Sequence, residues 1–389
     1  MSSTPGYTAV MVVPTGIGAA IGGFAGDALP SARLLSSCVD TLITHPNVLN
    51  GAMMYWPMSN ALYVEGYALD EFAAGNIGLV PTKKRSHAIG LLLDKGIEEN
   101  LLLRHMHVAD AARATLGINV ASVCVTDEPM GVETAVTETG ASWGSLRNVD
   151  TLVKGAETLL KRGCTAIAVV ARFPEEGEAH EDGGYDPVMF DAYRKGEGVD
   201  AIAGIEALIS HTIVKKLGVP CAHAPAFSPE SEPYSGTSPK AAAEELGYTF
   251  LPCVLANLHK APQFLPLASG EKRGLGVDFR RLVTSSPHAP REAVRDHGVI
   301  EAGHVDSVIA PASALGGGSV LSFLSRGALV IAVEENTSVM QAEAATLGPG
   351  ASTVVHARSY AEAAGLIMAH KEGLLFDSLT AKVPPLALE

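Results

Sequence analysis

Thr8-Ala-Val-Met-Val-Val13 runs straight into Pro14-Thr-Gly-Ile-Gly-Ala-Ala-Ile-Gly-Gly23, and the rest of the chain reads outward from this pair. The first stretch is apolar without alternation, as in a parallel strand covered on both faces. The second is a glycine corner leading to a helix, expected from Pro30 to Val39. The grammar then recurs. Thr41-Leu-Ile-Thr44 reads as a strand ending at His45-Pro-Asn-Val-Leu-Asn50, and Ala88 to Leu93 as another. Glu98 to Leu116 reads as a helix closed by Gly117, where a C-cap belongs. Val120 to Val125, Ala166 to Val170, Val219 to Ala224 and Phe250 to Leu255 read as extended. So do Ser307 to Ala310, Ala328 to Val333 and Thr353 to His356. Helices are expected over Asp150–Arg162, Gly204–Leu217, from Ser238-Pro239 onward, from Ser319 to Arg326, and over Tyr360–Lys371.

Apolar runs alternating with helices predict an α/β, Rossmann-like fold: a mainly parallel sheet or sheets of nine or ten strands, with helices on both faces. Two lobes, 1–145 and 146–389, or one continuous domain fit equally well. The boundary would lie near 140–150 or within 177–186.

Composition narrows the function. The 389 residues are 47% hydrophobic and 5% aromatic, with 40 Gly and 23 Pro, which suits many strand–loop–helix units. The net charge of −14 and the shortness of Lys83-Lys84-Arg85 argue against a nucleic-acid partner. Five scattered cysteines without a CxxC pair fit reduced thiols rather than a disulfide framework. No apolar run reaches the ~18 residues of a membrane helix. A cytoplasmic protein without membrane contact is expected, with a homodimer as the default assembly.

Ligands of open parallel sheets bind beyond the carboxyl ends of strands. The residues there are Thr15 and Gly16; His45, Asn47 and Asn50; Asp127; Arg172; Cys221 and His223; Ser313; and Glu335 with Asn336. Gathered around one cavity, they would form a site. Cys221 and His223 stand two apart on a strand and so share a face. They read as an acid–base or nucleophilic pair, with His45 and Glu335 as further catalytic candidates. With His45, the same two residues could instead hold a divalent metal, with His211, Asp127 or Glu335 as alternative ligands. The bland reading is a buried cysteine beside a structural histidine. Arg172 suits a carboxylate or phosphate. The turn Ser313-Ala-Leu-Gly316-Gly317-Gly318-Ser319, opening a helix, suits an anion. No GK[ST] follows it.

Gly16-x-Gly18 fits a dinucleotide fingerprint poorly. Ile21 stands where the third glycine belongs, and His45 where an acidic residue would meet a ribose. NAD(P) is therefore less favoured than a metal, and the cofactor is left open. In Arg104-His-Met-His-Val-Ala-Asp110, the two histidines fall on different faces of a helix, which suits a surface charge network.

Seven stretches resemble a family of bacterial and plant proteins known as a domain of unknown function. They are VPTGIGAAIGGFAGDALP (13–30), LITHPNVLNGA (42–52), ALYVEGYALDEFAAG (61–75), GVDAIAGIEALISH (198–211), VPCAHAPA (219–226), AEELGYTFLPC (243–253) and VEENTSVM (333–340). The resemblance spans almost the whole chain. It implies a single-family protein rather than a fusion, and it implies no activity. One departure is His107, where the family pattern carries Gln; this weakens a metal reading of the HMH stretch.

Together the residues suggest an enzyme for a small, anionic metabolite, working by proton transfer, elimination or hydrolysis. A metal-dependent hydrolase or lyase, an NAD(P)-dependent oxidoreductase and a non-catalytic small-molecule-binding protein are the alternatives.

Overall fold

The computed structural model describes residues 6–24, 26–49, 53, 55–82, 86–174, 187–227, 238–242, 250–267, 298–348, 353–383 and 385. Asn50, the charged loop 175–186 and Lys83-Lys84-Arg85 lie outside them.

In chain order the first elements are β1 (Thr8–Met11), α1 (Leu29–Cys38), β2 (Thr41–Thr44), α2 (Pro46–Leu49), β3 (Ala61–Tyr63), α3 (Gly66–Ala73) and β4 (Ile77–Val80). Then come β5 (Ile89–Leu93), α4 (Glu99–Leu116), β6 (Val120–Val125), β7 (Val132–Val136), β8 (Ser142–Leu146), α5 (Val149–Lys161), β9 (Ala166–Arg172) and α6 (Pro187–Arg194). The last are α7 (Ala203–Leu217), β10 (Cys221–Ala226), α8 (Leu251–Leu258), β11 (Gln263–Pro266), β12 (Ser307–Pro311), α9 (Gly318–Ser325), β13 (Leu329–Val333), β14 (Val354–Ala357) and α10 (Tyr360–Lys371).

The fold is α/β, as its apolar runs predict. A six-stranded parallel sheet has the order β14-β13-β12-β1-β2-β3, and a four-stranded parallel sheet the order β10-β9-β5-β6. Two antiparallel pairs, β11-β4 and β7-β8, complete the described strands.

Alternate residues show why both sheets are apolar throughout. On β1, Ala9 and Met11 pack with Leu35 of α1 and Ile367 of α10, while Val10 packs with Phe72 of α3 and Phe323 of α9. On the second sheet, Leu91 and Ala222 share a core with α4 and α8. Ile167, Val169 and Cys221 share the other core with α5 and α7. Strands covered on both faces lose the polar alternation of half-exposed ones. Each Val, Leu, Ile, Phe or Met side chain among them, moved from water, contributes roughly 1.5–3 kcal/mol.

The two sheets are interleaved in sequence. Strands β1–β3 pair with β12–β14, and the four strands of the second sheet lie between. A cut at 145/146 would part β5 from β9, its hydrogen-bonded neighbour in the second sheet.

One stretch read as extended, Phe250 to Leu255, is instead the start of α8. Leu251, Val254, Leu255 and Leu258 are all buried, a helical rather than a two-residue spacing. Pro252 sits in the first turn, where its missing N–H costs nothing.

Candidate functional site

The crevice where strand order reverses in the first sheet lies between β1 and β12. There the glycine corner meets protein backbone. Gly16 and Gly18 have φ of +73° and +59°. A Cβ on Gly16 would collide with Ser142 Oγ, and one on Gly18 would lie 2.7 Å from the Gly198 carbonyl. The Gly16 carbonyl accepts from Ser142 N. These glycines therefore let the loop after Thr15 press against β8 and the approach to α7.

The other candidates on this sheet mostly bind one another. Asn336 is fully buried and clamps Ile21 through both its N–H and its carbonyl, at 2.9 Å each. Its Nδ2 also donates to Tyr360 Oη. Exposed Glu335 accepts from Tyr360 N at the start of α10, 3.2 Å away. Ser313 Oγ pairs with Ser338 Oγ. The turn Gly316–Gly318 does open α9, but the Asp70 carboxylate stands beside it: a Cβ on Gly318 would lie 3.5 Å from Asp70 Oδ1. The expected anion position thus has a carboxylate of the chain itself beside it, which the helix terminus favours.

The corresponding crevice of the second sheet, between β5 and β9, is closed by buried Asp94. Its carboxylate accepts from Gly96 N (3.0 Å), Met130 N (2.9 Å) and Arg172 N (3.1 Å). The Arg172 guanidinium is held by Glu98 at 2.9–3.0 Å and also donates to the Phe173 carbonyl. Arg172 is an internal ion pair here rather than a clamp for a ligand. Asp127 is exposed and lines a hollow of about 410 Å³ with Arg147, Asp150 and Lys154.

The two sheets contribute jointly to a third place. His45, just beyond β2, is buried, and its Nε2 accepts from Val13 N at 2.9 Å. Nδ1 therefore carries the ring proton. Asn47 donates to the Val13 carbonyl at 2.8 Å, so both residues grip the end of β1. Glu65, just beyond β3, is buried. Its Oε2 caps α3 by accepting from Tyr67 N and Ala68 N.

Glu65 Oε1 lies 2.7 Å from His211 Nδ1 on α7, and that nitrogen also lies 2.6 Å from the Ala207 carbonyl. The single N–H points to the carbonyl, so the Glu65 contact is an ion pair rather than a well-directed hydrogen bond. A Cβ on Gly66 would lie 3.0 Å from His211 Cε1, so the ring rests over the head of α3. His211 is 38% exposed, against 1% for Glu65. His223 lies on the α7 side of β10, its Nδ1 3.0 Å from Ser210 Oγ.

The three imidazoles are held in opposite states. Burial pulls His45 down to about 4, and the charge on His211 pulls further in the same direction. The same two causes take His223 down to about 3. For His211, burial also pulls down, but the Glu65 carboxylate, the Ala207 carbonyl and the Asp70 charge outweigh it and hold the ring above its usual value. Two imidazoles held neutral thus share an electrostatic neighbourhood with one whose charged form is favoured.

Cys221 begins β10 on the same face as His223, but its environment does not favour a thiolate. Burial and the Glu65 charge push its pKa well above the usual value, and Sγ lies 3.8 Å from the Ala222 carbonyl. No hydrogen bond joins thiol to imidazole among the described residues. Nor, among them, do any three His, Cys, Asp or Glu side chains form a group that could hold a metal ion, and Cys221, His223 and His45 are not such a group.

Of the residues expected at strand ends, His45 and His223 both feel the His211 charge, while Asp127 and Arg172 lie beyond β6 and at the end of β9. Strand-end reasoning misses Glu65 as a site residue. β3 is three residues long and carries no strand signature, so nothing marked Glu65 as a strand-end residue. It also leaves His211 as no more than an optional ligand.

A family model described as a protein of unknown function (DUF3326) matches residues 8–380. The chain belongs to that family. The resemblance carried by the seven motifs is thereby shown, and five of the site residues fall inside them: His45, Glu65, His211, Cys221 and His223. This DUF3326 protein is 46% identical over 367 residues, 94% of its own length and 91% of the relative's, to an "Uncharacterized lipoprotein" of a Synechococcus strain. The cytoplasmic expectation does not stand against a relative so named. Among the described residues, no helix is long and apolar enough to cross a membrane. No solved structure matches this member of the family.

Proposed function

We propose that the protein is an enzyme that moves protons on a small molecule, in an isomerisation, elimination or hydrolysis, with His211 as general acid and a neutral imidazole, His223 or His45, as its counterpart. One observation carries this reading: histidines in one neighbourhood whose surroundings push them to opposite protonation states. Such splitting is how a single site keeps an acid and a base ready at the same pH. The Ala207 carbonyl orients the His211 ring and buried Glu65 supports its charge, while the partial exposure of the ring leaves it open to a substrate. Structural ion pairs also perturb histidines. Here, however, the ion pair is one-sided, with a buried carboxylate serving a partly exposed imidazole.

With Arg172 held by Glu98 and Asp70 at the start of α9, an anionic substrate forms no part of the proposal. Neither does a Cys221 nucleophile. The test is incubation of a small-molecule cell extract in deuterated water with the wild-type protein or with His211→Gln, followed by mass spectrometry. The wild type alone should convert or deuterate at least one component. Identical traces would overturn the reading.

A further inference from the structure

We propose that Ser210 is a positioning residue that fixes the tautomer of His223, so that His223 presents an unprotonated Nε2 and is the base of the site. One carbonyl of α7 faces both Ser210 and His211. Ala207 O, one turn back on α7, lies 3.2 Å from Ser210 Oγ and 2.6 Å from His211 Nδ1. A carbonyl only accepts, so His211 must carry a proton on Nδ1.

Ser210 has a single hydroxyl proton and two neighbours, Ala207 O and His223 Nδ1 at 3.0 Å. If that proton goes to Ala207 O, His223 Nδ1–H donates to Oγ, and a continuous chain of two hydrogen bonds runs from imidazole to hydroxyl to carbonyl. If it goes to His223 instead, only one of the two bonds is made, and the oxygens of Ser210 and Ala207 face each other with lone pairs. Ser210 is 1% exposed, so no bulk water makes good the loss. The first arrangement satisfies more groups and polarises along its length. It leaves the neutral His223 with its lone pair on Nε2.

His45 is arranged the other way round. Its Nε2 already accepts from Val13 N, so it offers the N–H of Nδ1 and serves as a donor. One helical turn of α7 therefore sets the ring nitrogens of two histidines, the acid His211 and the base His223.

The chemical consequence rests on the acid–base reading above, but the tautomer does not, and it can be read without substrate. The probe is a long-range proton–nitrogen correlation spectrum of the full-length, nitrogen-15-labelled protein near pH 7, with the His223 signals identified by their loss in His223→Gln. Free neutral histidine favours the proton on Nε2, so the expected pattern at His223, Nδ1 protonated and Nε2 bare, is diagnostic. Ser210→Ala should move His223 to the Nε2–H form or to a mixture, while Ser210→Thr, which keeps the hydroxyl, should retain the wild-type pattern. If Ser210→Ala does not fold, Ser210→Cys, with its weak donor, takes its place. A wild-type His223 protonated on Nε2, or a pattern unchanged when the hydroxyl is removed, overturns the proposal. Either result leaves the deuterium-exchange test of the acid–base reading untouched.

Discussion

The two places where strand ends carry charged side chains behave differently. At the end of β5 and β9, Asp94 accepts from three backbone N–H groups and Glu98 holds the Arg172 guanidinium, so each of these charges is answered within the chain. At the end of β2 and β3, facing α7 and β10, Glu65 favours the charged form of a partly exposed imidazole while burial keeps two further imidazoles neutral. Both carry chemistry-bearing residue types where ligands of open sheets bind. What separates them is whether the groups finish one another's valences. A satisfied network rigidifies; a site retains groups held in states that only a reaction would change.

The largest effect expected from breaking this contrast is at Asp94. Removing its carboxylate by Asp94→Ala strands three N–H groups in a buried place. Urea unfolding should show a loss on the order of 4 kcal/mol. A loss under 1 kcal/mol would mean that the crevice is looser than its geometry implies, and would reopen it as a ligand site.

The next effect concerns acid. In the unfolded chain His45 titrates near 6.5, and in the fold near 4. Between those values the unfolded chain binds more protons. The contribution is therefore fully present above about pH 6.5 and is lost as pH falls through about 4, a change on the order of 3 kcal/mol. His45→Gln should flatten that part of the stability–pH curve measured by urea unfolding. An unaltered slope would show that His45 is not held neutral by burial.

His211 runs with the opposite sign. Its raised value places its stabilisation below about pH 6.5, and that stabilisation is lost as pH rises through the folded value. Glu65→Gln removes the charge that supports it, so the His211 midpoint, followed by proton NMR, should move down. A midpoint that stays in place would dissolve the ion pair and with it the asymmetry between the two regions.

The smallest effect belongs to Arg172→Ala. Its partner Glu98 is half exposed, so the pair should contribute no more than about 1 kcal/mol in thermal or urea unfolding. Once a substrate is known, turnover should be within twofold of wild type. A large loss of turnover without loss of stability would make the second rim functional after all.

Local pattern determined much of this protein. Unbroken apolar runs marked strands covered on both faces, and Gly117, in left-handed conformation, closed α4 where the chain suggested it would. Family membership was legible in the motifs themselves. Short strands were not: β3 has three residues, too few for any periodicity, and Glu65 beyond it went unnoticed.

Only the tertiary structure decided which polar groups answer one another. Glu65 meets His211, Asp70 meets Ser319, and Glu98 takes Arg172, each pair drawn from a different element. The reason is one of range. Burial patterns repeat within a few residues and can be read from them. The protonation state of a histidine depends on charges and hydrogen-bond partners a few ångströms away in space, and these arrive from distant parts of the chain.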